Sequence, residues 1–139
     1  MYLRFVSGYR HPHLDAELGI YTATCFLDFE DQPRWLMAAY HEAFEVLYGL
    51  SVPHCVSYES MTRDGRFSLC WIRAERRDLV AGFRHLAWAM TEMGVAIGEL
   101  RSTDPGRILY RDAEQIVALP YRGRVPKCFP RPAGAPRPS

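Results

Sequence analysis

The stretch Glu75–Met93, ERRDLVAGFRHLAWAMTEM, constrains the fold more than any other. Leu79, Phe83, Leu86, Met90 and Met93 recur at spacings of four and three, which is one stripe of an α-helix. Gly94 stands where such a helix would stop. The residues beyond it favour strands, so the stripe predicts a helix lying on a sheet.

A second helix is predicted from Asp31-Gln32-Pro33, with Asp31 as cap and Pro33 in the first turn. Leu36, Ala39, Tyr40, Ala43 and Leu47 form its stripe, flanked by Phe44 and Val46, and Gly49 ends it. Arg34, His41 and Glu45 fall on its outer side. Tyr2–Ser7 alternates and is rich in β-formers, so it reads as a strand. Residues 17–27 satisfy both periods. They are assigned to helix, with Asp15 as cap and Glu17 in the first turn. Phe67–Ile72 reads as a short strand central in the sheet. Val95–Leu100, Ile108–Tyr110 and Ile116–Leu119 read as three strands joined by short turns, Asp104-Pro105-Gly106 among them, and hence as an antiparallel meander.

The fold expected is α+β: a mainly antiparallel sheet of about five strands with three helices on one face, in the order β-α-α-β-α-β-β-β. At 139 residues one core suffices. The expected division is a domain over residues 1–121 and a flexible tail over 122–139. That tail holds half of the ten prolines and five basic residues (Arg122, Arg124, Lys127, Arg131, Arg137) with no acidic one. The remainder is therefore net acidic. Val125, Cys128 and Phe129 are the tail residues able to pin it to the body.

No apolar run reaches the roughly 18–20 residues of a membrane span, and the N-terminus lacks the pattern of a signal peptide. Cys25, Cys55, Cys70 and Cys128 form no Cys-x-x-Cys. A cytoplasmic protein with free thiols is expected. One lysine against sixteen arginines, with no asparagine, suggests GC-rich coding and a bacterial or phage source.

The densest set of chemically capable side chains is His11, His13, Asp15 and Glu17, directly after the first strand. Imidazole and carboxylate are zinc ligands, so a small metal-dependent hydrolase is one reading. HPHLDAELG resembles the His-Pro-Asp-Asp-x-Glu loop of the zinc-dependent N-acetylglucosaminyl deacetylase-like family, over fewer than ten residues and out of register. The paired aspartates would fall on His13-Leu14, or need a one-residue insertion to reach Asp15, and no His-x-x-His follows to complete the site. The chain is also too short for that family's fold, so the resemblance is set aside. The metallo-β-lactamase-type pattern His-x-His-x-Asp-His also fails, because Ala16 replaces its last histidine. The overall order of short strings resembles small bacterial proteins with no assigned activity, and imports no site. His54-Cys55 with Cys70 or His85, and His41 with Glu42 and Glu45, show no spacing that converges on catalysis.

The opposite side of the 75–93 helix is more distinctive. Arg77, Arg84 and Trp88 stand at i, i+7 and i+11, away from the apolar stripe. An exposed tryptophan one turn from an arginine is the composition of an interface hot spot, and Arg84 is placed to stack on Trp88. The expected function is therefore non-enzymatic: binding to a protein partner, as in a bacterial regulator, an immunity-like protein or a phage inhibitor, with a homodimer as a variant. No cofactor is implied. The basic tail offers a nucleic-acid alternative, opposed by the acidic body and by Asp64, Glu75 and Asp78 among the arginines.

Overall fold

The computed structural model describes residues 1–10, 16–50 and 68–129. Strand β1 (Tyr2–Arg10) is followed by β2 (Glu17–Gly19), the short helix α1 (Ile20–Ala23) and one 3-10 turn (Thr24–Phe26). Helix α2 (Arg34–Gly49), strand β3 (Leu69–Arg73), helix α3 (Arg77–Glu92) and strands β4 (Ile97–Ser102), β5 (Arg107–Arg111) and β6 (Gln115–Leu119) complete the order. The fold is α+β, with six strands paired antiparallel. Among the described residues no helix is long and apolar enough to cross a membrane.

The stripe that predicts α3 is its buried face: Leu79, Phe83, Leu86, Met90 and Met93 are all in the core. Its end is a Schellman motif. Gly94 has φ 103°, its N–H reaches Thr91 O, and the Val95 N–H reaches Met90 O. Two terminal carbonyls are thereby satisfied. Helix α2 buries Leu36, Tyr40, Ala43 and Leu47 and packs antiparallel to α3. A Cβ on Gly82 would stand 2.8 Å from Leu47 Cδ2, so this glycine sets how closely the helices approach. Asp31 is not the cap of α2: its own φ is 60°, and Pro33 precedes the helix with no side-chain cap.

Residues 17–27 are not one helix. Glu17 lies in β2, opposite Arg10 of β1, and the chain turns helical only at Ile20. The two overlapping periods are real and sequential. Ser7 Oγ fixes the strand part by donating to Leu18 O at 3.0 Å.

The expected meander is also corrected. Strands β5 and β6 form a hairpin, but β4 pairs with β1 over its whole length, from Tyr2↔Ser102 to Ser7↔Ile97. Strand β1 is flanked on its other side by β3 near its start and β2 near its end. The path across the sheet is thus β4-β1-β3-β6-β5. The link from Ser102 to Arg107 can span at most about 18 Å, whereas four strand spacings in a flat sheet come to about 19 Å. The sheet must curl to bring its ends together.

Trp71 fills the inside of that curl. It is 0% exposed and packs with Leu69, Ile116 and Ala118, bordered by Tyr2, Leu100, Ile108 and Val125. The helices cover the other face, where Leu3, Phe5 and Ile72 join the main core. Gly106, at φ 142°, lies against the Leu119 carbonyl, where a Cβ could not fit. Only glycine closes the link into β5 so tightly.

After β6 the chain crosses the face opposite the helices. Val125 joins the Trp71 cluster. Cys128 Sγ lies against Gly98, and a Cβ on Gly8 would stand 3.7 Å from the Phe129 ring. The expectation of a mobile tail falls, over residues 130–139, outside the described residues.

Candidate functional site: an aromatic face across α2 and α3

Arg77, Arg84 and Trp88 are all exposed on α3. Trp88 is 45% exposed although its helix is otherwise well packed. Arg84 does not stack on it. Its guanidinium instead binds the Glu99 carboxylate of β4 at 2.7 and 3.2 Å, and Arg101 Nε donates to the same carboxylate at 2.8 Å. The hydrogen bonds from Arg84, ahead of those from Arg101, hold Glu99 below its ordinary pKa against the opposing effect of burial. The Glu99 pair in turn raises Arg84. Both arginines are thus committed to one carboxylate on the rim.

Trp88's neighbours are aromatic. The His85 ring stacks at 6.0 Å and an interplanar angle of 27°. From α2, Trp35 approaches to 6.4 Å at 37° and is itself 60% exposed. Antiparallel packing places the first turn of α2 beside the last turns of α3, and Gln32 Nε2 donates to Met93 O at 3.3 Å across the same junction. Trp35 was not among the residues singled out from the sequence. The available signal was a large apolar side chain one position off the Leu36 stripe.

His85 borders this face, whereas Arg77 lies at the far end of α3; among the described residues no group of three His, Cys, Asp or Glu is arranged to hold a metal. Of the alternative ligand set, His11, His13 and Asp15 lie outside the described residues, as do His54 and Cys55. Glu17 is described and is not at a helix start. It is only 4% exposed, and its two carboxylate oxygens accept the amides of Cys128 at 2.5 Å and Phe129 at 2.6 Å. Arg10 Nη2 donates to Phe129 O at 2.5 Å.

A cleft of about 50 Å³ opens where β1 passes between β2 and β3, lined by Arg4, Gly19, Tyr21, Cys70 and Phe83 among others. It has room for one or two waters, far below the roughly 300 Å³ of a small-molecule site. Arg4 Nη1 closes it by donating to Cys70 O at 3.0 Å. Among the described residues the Tyr21 hydroxyl at its edge has no hydrogen-bond partner. Burial, with a smaller contribution from Tyr48, raises that hydroxyl's pKa well beyond its ordinary value, so it stays protonated.

Cys25 and Cys128 are free, but Cys70 is disulfide-bonded. The expectation of four free thiols fails there, because the lack of Cys-x-x-Cys excludes local motifs and says nothing about distance in space. The cytoplasmic expectation loses the support that free thiols gave it. Compared with known proteins, the chain matches no family model, no curated protein and no solved structure.

Proposed function

We propose that the protein is a non-enzymatic binding protein that engages a protein partner through the α2/α3 aromatic face. The observation that carries this reading is the pair Trp35 and Trp88. Two tryptophans from separate helices lie side by side and largely open to solvent. The fold has no need of either, since the buried stripes of both helices are complete without them. Exposed large aromatics in one patch mark interaction surfaces. Tryptophan supplies large contact area at low conformational cost, which makes it the commonest interface anchor.

The rim fits the same reading. Arg84, Glu99 and Arg101 form a charged network of the kind that sets orientation more than affinity, and Arg77 extends the basic side along α3. The partner's matching surface is apolar at its centre with a carboxylate within reach of Arg77.

The test is affinity capture from source cells with wild type and with Trp35→Ala/Trp88→Ala. Both side chains are exposed, so the double variant keeps its thermal unfolding midpoint while losing partners that wild type retains. Recovery of the same partners in the same amounts rejects the face. Arg84→Ala separates rim from centre, with a smaller loss that grows at low salt. If the partner is a second copy, wild type sediments as a dimer and the double variant as a monomer.

A further inference from the structure

The described residues end at Phe129, which Glu17 and Arg10 hold on the sheet face opposite the helices. This end lies at β4: a Cβ on Gly98 would stand 3.3 Å from the Phe129 ring. Strand β4 is terminal in the sheet, with β1 its one strand partner among the described residues. The residue beside Gly98 is tied to α3. The Ile97 amide donates to Thr91 Oγ1 at 3.2 Å, and Thr91 Oγ1 donates to Ala87 O at 2.8 Å. Thr91 is one helical turn from Trp88. Added together, these steps put Phe129 within roughly 20 Å of Trp88, around a single strand edge.

The sequence that continues from there, residues 130–139, reads PRPAGAPRPS. A Pro-Arg-Pro unit occurs in it twice, six residues apart, and it contains no acidic residue. Proline fixes its own φ and biases the residue before it towards polyproline II. Six residues are two turns of that helix, so in it Pro130 and Pro136, and Pro132 and Pro138, fall on common sides. At about 3.1 Å per residue the ten residues extend about 31 Å, further than the distance to Trp88. The second Pro-Arg-Pro unit arrives about 22–28 Å beyond Phe129, at the range of the tryptophan pair.

We propose that the Trp35–Trp88 face is a polyproline-binding surface, and that its occupant is the chain's own segment 130–139. Proline-rich segments in this conformation dock on grooves lined by aromatic side chains. Here two indoles on neighbouring helices supply the lining, 6.4 Å apart and inclined at 37°. Charge complementarity points the same way. Glu92, one turn from Trp88 on the exposed side of α3, has no ion pair among the described residues, whereas the segment brings Arg131 and Arg137. A short tether gives the segment an effective concentration of order mM at the face. A contact with a dissociation constant of about 1 mM in trans therefore covers about half of the molecules in cis. The inference takes the face from the functional reading but not the partner. Capture from cells and the experiment below can therefore fail separately, and where both hold, the partner competes with residues 130–139.

Acrylamide quenching of tryptophan fluorescence in the full-length protein tests it. Trp71 is buried, so quenching reports on Trp35 and Trp88. Replacing Pro130, Pro132, Pro136 and Pro138 together by glycine touches no described element and about doubles the quenching constant. A synthetic peptide of sequence PRPAGAPRPS, added at mM concentration, restores the shielding to this variant saturably. The same peptide has no effect once Trp88→Ala is added to the variant. Equal quenching of wild type and the glycine variant overturns the inference, as does a peptide that leaves the variant unchanged. Shielding that persists in the variant and grows with protein concentration assigns the face to a second copy, and overturns it equally.

Discussion

Asp112 shows how much order one side chain imposes. It stands between β5 and β6, where its Oδ1 accepts the amides of Glu114 and Gln115, both at 2.8 Å. Its Oδ2 accepts Tyr110 Oη at 3.0 Å and Gln115 Nε2 at 3.3 Å. Burial pulls its pKa upward, but these donors outweigh burial and hold the carboxyl below its ordinary value. A depressed folded-state pKa gives stability that is complete above the unfolded value of 3.8 and is lost as pH falls through the folded value. Asp112→Asn is therefore expected to be less stable at pH 7 by about 1 kcal/mol, a modest figure because solvent screens the group. The gap narrows as pH drops below about 4. Urea unfolding of both proteins at pH 7 and at pH 3 measures it, and a gap independent of pH rejects the assignment.

At the scale of elements, the α2/α3 contact determines whether Trp35 and Trp88 form one surface. Gly82 lets the helices close until Leu47 lies where a Cβ would be crowded. Gly82→Leu is expected to cost about 1–3 kcal/mol through overpacking, despite the gain in helix propensity. It also forces the helices apart at the site that sets their approach. Thermal unfolding reads the cost, and tryptophan fluorescence reads any change around the Trp35–Trp88 pair. A variant as stable as wild type would mean that Leu47 yields and that Gly82 does not set the spacing. The apolar stripes of both helices were legible in the sequence because burial repeats with the helical period. Their contact partners were not, since a stripe says which face is buried and not what lies against it.

For the whole molecule, two apolar clusters on opposite faces of one curled sheet share the stabilisation. The larger joins the helices to β1 and β3. The smaller is centred on Trp71, whose indole Nε1 is buried without a hydrogen-bond partner among the described residues. Trp71→Ala opens a cavity within this cluster, with an expected cost of about 3–5 kcal/mol. That is a large part of the roughly 5–15 kcal/mol that holds a domain together. Trp71→Phe costs less, because it keeps an aromatic ring and removes an unsatisfied donor. The expected order of denaturant midpoints is wild type, then Trp71→Phe, then Trp71→Ala. Equal midpoints for the two variants would show that the curl is not built on this side chain.

The sequence by itself determined the α+β class, both long helices with their buried stripes, and the strands β1, β3, β4, β5 and β6; the exposure of Trp88 was left to the structure. These follow from local periodicity and from glycine at a helix end, which a chain carries wherever it folds. Only the tertiary structure decided that β4 leaves the expected meander for β1, that Glu17 clamps a segment more than a hundred residues away, that Arg84 turns to Glu99, and that Trp35 completes the aromatic face. Each of these depends on pairing between segments distant in sequence. Periodicity records which side of an element is apolar, but not its partner across the sheet or between helices.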